Sequence, residues 1–156
     1  METHNVVPKR VRDSLISSLQ SLLASAIDLE RQAKQAHWSV KGPNFYSLHL
    51  LFDELHSASD AWGDLIGERI MQLGGHTQGT VQAVAQHTML PELPTTFTEE
   101  RSLVEHLSRS LANFTESARS ALSRSEEEGD PITVDIMTDV TRQAEKLLWF
   151  IESHLD

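Results

Sequence analysis

Residues 74–98, GGHTQGTVQAVAQHTMLPELPTTFT, decide how this chain is threaded. Gly74, Gly75, Gly79, Pro91 and Pro94 interrupt any continuous helix here, because glycine leaves the backbone loose and proline removes a donor and crowds the preceding turn. Inside the stretch, VQAVAQH at 81–87 has the apolar spacing of two helical turns. The segment therefore reads as a long crossover with a short helix inside it. A crossover of this length lets the chain reverse the direction of the helices that follow.

Long amphipathic patterns lie on both sides. Upstream, Val11, Leu15, Leu19, Leu22, Ala26, Leu29, Ala33 and Ala36 recur every three or four residues, which predicts a first helix from Val11 to about Trp38. Gly42 and Pro43 break it, Asn44 is the expected N-cap, and a second helix is predicted from Phe45 to about Leu73. Downstream, Thr96 to Glu99 has capping-box spacing, and Leu103, Leu107, Leu111, Phe114, Ala118, Ala121 and Leu122 mark a third long helix that Gly129 ends. Asp130 as N-cap and Pro131 at the first helical position announce a fourth, with Ile132, Ile136, Val140, Leu147, Leu148, Phe150 and Ile151 as its apolar positions. Four long helices with one long connection make an all-α four-helix bundle.

Composition agrees with this reading. At 156 residues, 39% hydrophobic and 23% charged, residues 1–156 are expected to form one domain, with 1–10 as a short N-terminal tail. There is no Cys, so disulfides, thiolate metal sites and cysteine nucleophiles are excluded, and any metal must be held by His, Asp and Glu. The start, METHNVVPKR, has no apolar leader, and no stretch approaches the roughly 20 apolar residues of a membrane span. A cytoplasmic location without membrane contact is expected. The formal charge of −10 repels phosphate backbones and suits cations.

The second helix carries the residues with chemistry. His49 and Asp53 are four positions apart, as are Asp64 and Glu68, so each pair lies on one helix face where both side chains reach one ion. His49 and Asp64 are separated by about 22 Å along a helix rising 1.5 Å per residue and cannot share an ion within one chain. Both pairs project toward broadly one side, so two copies packed antiparallel about a twofold axis would set the His49 half of one against the Asp64 half of the other. His37, near the end of the first helix, leans onto the same patch.

Residues 33–75 contain AKQAHWSVKGPNFYSLHLLFDE and DLIGERIMQLGG, which resemble the signature of the Dps miniferritins. The shared pattern is carried by His37, Trp38, Gly42, Phe45, His49, Asp53, Asp64, Glu68 and Arg69. The resemblance implies a ferritin-like four-helix bundle with a short extra helix in the crossover between helices two and three. It implies a ferroxidase centre shared between subunits, with His37, His49 and Asp53 from one chain and Asp64 and Glu68 from its twofold mate. Gly67 stands where the family commonly has Ala, and Trp62 is a second place where variation is expected; neither removes a ligand.

By the same resemblance the chain is a ferroxidase that oxidises Fe(II) to Fe(III), mainly with hydrogen peroxide, and stores ferric iron in a cytoplasmic dodecamer built from twofold dimers. Imidazole and carboxylate suit Fe(II), and a carboxylate-rich site favours the ferric product; zinc fits the same donors. Trp38 beside His37 is read mainly as a core or interface anchor, with electron donation as a further role. Asp135, in the T-x-D pattern of Thr133 to Asp135, matches a position lining the acidic pores of such shells, and Asp130 is a second pore candidate beside its N-cap role. His4, His56, His76, His87, His106 and His154 show no ligand spacing and are assigned to surface or core. No Glu-x-x-His occurs, which argues against a di-iron site inside one bundle. A nucleoid DNA-condensing protein is the competing function. Its only basic cluster before the first helix is Lys9, Arg10 and Arg12, with Glu2 in the tail and Asp156 at the end, so DNA binding is expected to be weak or absent.

Overall fold

The computed structural model describes residues 3–155 and contains five helices. They are α1 (Lys9–Ser39), α2 (Phe45–Gln72), α3 (Val81–His87), α4 (Glu100–Glu128) and α5 (Pro131–Glu152). Met1, Glu2 and Asp156 lie outside the described residues, so the expected acidic tail residue and terminus are not part of this description. α1 begins at Lys9 and takes in the end of the tail expected at 1–10.

The packing of α1 on α2 and of α4 on α5 makes two hairpins, and contacts of α1 with α4 and of α2 with α5 join them into a bundle. The short α3 lies against α1, so the crossover runs along the outside of the first hairpin. Direction follows from which ends meet. Lys41 N–H donates to Thr98 O at 2.9 Å, and Glu100 accepts from Asn44, so α2 and α4 start at the same end. Arg69, near the end of α2, pairs with Asp130 at the start of α5, so those two run antiparallel. This is the ferritin-like arrangement with one crossover.

The core follows the periodic positions. Every α1 position read as apolar is buried, as are Leu103, Leu107, Leu111, Phe114, Ala118 and Ala121 of α4. Trp62 is fully buried, stacks on Phe114 with ring centroids 5.3 Å apart, and donates its indole N–H to Gln143 Oε1 at 3.2 Å. An aromatic pair plus a satisfied indole locks α2 to both α4 and α5. On α5 the buried stripe is Thr133, Met137, Val140, Thr141, Ala144, Leu147 and Ile151, so Ile132 is exposed and Ile136, Leu148 and Phe150 only flank the core. Thr133 occupies the inward position because its hydroxyl is held by Asp130, which turns Ile132 outward.

Three expected caps differ. Asp130 occupies the N-cap position of α5 without a side-chain cap bond, its carboxylate accepting from the Arg69 and Thr133 side chains. Asn44 occupies the N-cap position of α2 without a side-chain cap bond; its N–H donates to Glu100 Oε1 at 2.5 Å and its amide to Glu100 Oε2 at 3.2 Å. A carboxylate at a helix start complements the unpaired amides and the helix dipole there. Gly42, with φ +151°, makes room for it, since a Cβ would stand 2.5 Å from the Glu100 carboxyl carbon. The Thr96–Glu99 capping box does not form. The N-cap is Glu99, because Glu99 is still extended and forms a single parallel bridge step with Lys41, whose N–H donates to Thr98 O, and the helix begins after it. Gly129 ends α4 at φ +72° as expected. Among the described residues no helix is long and apolar enough to cross a membrane.

Candidate metal centre

The end of α1 and the start of α2 bring His37 and His49 together. Their rings stack with centroids 3.6 Å apart and planes 20° from parallel. His37 Nδ1 lies 2.7 Å from His49 O, and His49 Nδ1 lies 2.8 Å from His37 O. A carbonyl only accepts, so in both rings Nδ1 is the donor, and Nε2 is the nitrogen through which a neutral ring would bind a metal. The His37 carbonyl is open to this bond because its usual helical donor, the Lys41 N–H, goes to Thr98. Phe45 packs on the His49 ring at 5.2 Å between centroids.

One turn along α2, the Asp53 carboxylate lies 3.9 Å from His37 Nδ1 and accepts from Lys34 Nζ at 2.5 Å. The hydrogen bond from Lys34 holds the Asp53 carboxyl below its ordinary range against the opposing effect of burial, with the charges of Lys34, His37 and His56 adding to it. Asp53 is therefore an anion ready to bind a cation.

At the other end of α2, Asp64 and Glu68 are exposed on one face, one turn apart. Both line a shallow depression of about 610 Å³ with Gly63, Gly67, Met71 and Thr77. Each chain thus carries two partial donor sets, near opposite ends of α2. Among the described residues no three His, Asp or Glu side chains converge on one point that could hold a metal ion.

The remaining candidates fall into place around this. Trp38, read mainly as a core or interface anchor, is 67% exposed, so it is no part of the chain's core. It points outward because Ala33, Ala36 and Val40 hold the buried side of that turn. Asp135 is exposed on α5. Asp130 is buried, accepting from Arg69 Nη2 at 2.6 Å and from the Thr133 hydroxyl at 2.5 Å, which leaves no free carboxylate for a pore. Burial works to raise its pKa, but the hydrogen bonds from Thr133 and Arg69 outweigh it and hold the carboxyl below its ordinary range.

His106 is a core residue: its Nε2 lies 3.0 Å from Gln32 Oε1, and burial pushes its pKa down. His56 sits between α1 and α2, with Nδ1 3.0 Å from the carboxylate of Glu30, which also pairs with Arg31. Lys34 is the one residue at the half-site that sequence reading overlooked. Its signal was its place three residues before His37, on the same side of α1, which an antiparallel neighbour sets opposite Asp53.

A family model described as a ferritin-like domain matches residues 16–156. The DNA protection during starvation protein of Agrobacterium fabrum is 40% identical over 161 residues, spanning 99% of this chain and 98% of that protein. Among solved structures, DpsC from Streptomyces coelicolor is similar with a TM-score of 0.95 and 29% identity, covering 100% of this chain and 91% of that one. Dps from Microbacterium arborescens, in its high iron form, shares the fold at a TM-score of 0.90 and 24% identity, covering 99% of both chains.

Proposed function

This chain belongs to the Dps family of ferritin-like proteins, and from that premise we propose that it is a ferroxidase subunit of an iron-storing shell. The observation that carries the proposal is the histidine stack. Two rings are held by main-chain carbonyls through Nδ1, which leaves Nε2 of each for a metal, at one end of α2, and Asp64 and Glu68 are exposed near its other end. The outward side of α2 adds support: Tyr46, Leu50 and Leu65 are exposed apolar side chains interleaved with these polar ones. Such a row calls for a cover. A second copy packed antiparallel would bury it and bring Asp64 and Glu68 of the partner subunit to His37, His49 and Asp53.

Iron is substrate here. Two Fe(II) ions each give one electron to hydrogen peroxide, which takes up two protons and leaves as two waters, so no hydroxyl radical is released. In this scheme His37 and His49 supply neutral nitrogen donors, and Asp53 with the partner's Asp64 and Glu68 supplies the negative charge that favours Fe(III). Zn(II) would compete for the same donors. In this scheme Trp38, exposed beside His37, would surrender an electron when only one iron is present. Twelve subunits, built from six such dimers, would enclose the ferric product, with Asp135 lining an entry pore. The bacterial cytoplasm, including the nucleoid, is the place where this activity limits peroxide damage.

The relatives' name raises DNA as a partner, and the basic residues argue for weak binding at most. Lys9 pairs with Asp13, Arg10 with Glu128, and Arg12 donates to the main-chain oxygens of Val7 and Leu73. Their charge is engaged within the chain. In a gel-shift titration, retardation that persists as salt rises would overturn this part of the reading.

The decisive experiment is anaerobic Fe(II) loading followed by peroxide, read by ferric absorbance, on the parent, on His37→Ala, on Asp64→Ala, and on the two variants mixed under subunit exchange. Each variant alone is expected to be inactive. The mixture should regain about a quarter of parental activity, since half of randomly paired dimers are mixed and each keeps one of its two sites intact. Activity in both single variants equal to the parent's would end the proposal.

A further inference from the structure

The proposed centre is built from donors, yet its nearest charged neighbour is a cation. Lys34 reaches from α1 to Asp53 on α2, with Nζ 2.5 Å from Oδ1. Its side chain is 24% exposed, whereas the lysine and arginine partners of the exposed ion pairs at Asp13, Glu105, Glu145 and Asp139 are all above 60%. Of the lysines and arginines in ion pairs among the described residues, only Arg69 is more enclosed. Lys34 is thus fixed between helices, and its partner is a residue assigned as a metal ligand.

Asp53 is the one carboxylate of the half-site in a single chain, and the Lys34 ammonium is already paired with it. An approaching divalent ion meets no net attraction there. Asp64 and Glu68 of the partner subunit would add two negative charges, and only then does the electrostatic balance favour a dication over the resident ammonium.

Resting on the proposed function, we propose that Lys34 is the built-in counter-ion of the His37–His49–Asp53 half-site, a positioning residue that a divalent metal ion must displace from Asp53, so that metal capture depends on pairing of subunits. It weakens binding to the half-site alone and tolerates binding to the completed site. Lysine suits this role because its ammonium is a point charge on a flexible stem that can swing away, unlike a guanidinium bound through two nitrogens.

The test uses the full-length assembled protein and Co(II), titrated by its visible absorption, which reads binding without turnover. Lys34→Met keeps the alkyl stem and removes the charge; it is expected to bind Co(II) about tenfold more tightly than the parent, a change of about 1.4 kcal/mol. Lys34→Arg should bind no more tightly than the parent. In an Asp64→Asn background, where the partner set is weakened, Co(II) binding should be lost with Lys34 present and regained with Lys34→Met. A purely structural staple would move none of these in that direction. Equal or weaker Co(II) affinity in Lys34→Met and in the shorter neutral variant Lys34→Gln, with circular dichroism and melting unchanged, overturns the inference while leaving the proposed centre standing. Parental Co(II) binding that survives His49→Ala overturns the centre itself, and the inference with it. If Lys34→Met does not fold, Lys34→Gln carries the same comparison.

Discussion

Glu68 and Arg69 are neighbours in the chain and opposites in the structure. Arg69 is 4% exposed, and its guanidinium is consumed: Nε donates to Thr133 Oγ1 at 2.9 Å, Nη2 to Asp130 Oδ2 at 2.6 Å and Nη1 to Gln72 Oε1 at 3.2 Å. Glu68 is exposed and has no hydrogen bond or ion pair among the described residues. One side of α2 is a closed polar network that fixes where α5 begins. The other holds donors left open for something outside the chain. The lesson is that a run of polar residues on one helix divides by satisfaction: what is paired internally builds the fold, and what is unpaired at the surface is available for chemistry.

The largest effect that would sharpen this contrast belongs to the closed side. Arg69→Ala leaves the Asp130 carboxylate buried without its cation and is expected to lower the unfolding free energy by about 3–5 kcal/mol in urea titrations. Next comes the open side. Glu68→Ala should reduce Co(II) affinity about 100-fold, near 2.7 kcal/mol, while unfolding stays within about 0.5 kcal/mol of the parent. A stability loss for Glu68→Ala as large as that for Arg69→Ala would erase the distinction between the two faces.

Acid sharpens it further. Because the folded pKa of Asp130 is depressed, its contribution is fully present above the ordinary carboxylate range and is lost as pH falls through the folded pKa. The stability difference between the parent and Asp130→Asn, about 1–3 kcal/mol, should therefore be constant from pH 7 to 5 and shrink below about 4. A difference that grew on acidification would refute the depressed carboxyl. The smallest effect is Gly67→Ala. A Cβ there would make ordinary contacts of 3.7 Å with Leu23 and Thr77, so the gain in helix propensity should raise the unfolding free energy by about 0.5–1 kcal/mol in thermal melts.

The elements were legible in the sequence because their signals are local. Apolar period, the glycines at 42, 74 and 129, and Pro131 placed the five helices to within a few residues. The opposite tendency governs what was missed. Asn44 and Thr96 read as caps, but Glu100 accepts from both the main-chain and side-chain amides of Asn44 from 56 residues away, and Glu99 is held extended by its bridge to Lys41. Ile132 reads as core until Asp130 claims Thr133 for the inward position. Asp130 reads as an exposed acid until Arg69 is brought beside it. The donor residues were visible as spacings on one helix, and the resemblance selected them; the Lys34 ammonium and the locked tautomers of His37 and His49 were not, since each is decided by an interhelical contact.

The reciprocal bonds between His37 and His49 end on peptide carbonyls, and this gives the pair a modular character. When one imidazole is exchanged, the backbone oxygen that orients the other stays where it was, so the survivor keeps its proton on the same nitrogen and loses only a stacking neighbour. A designer can therefore re-tune this spot one donor at a time, replacing a single ring by a thiol or an amide without recasting the rest.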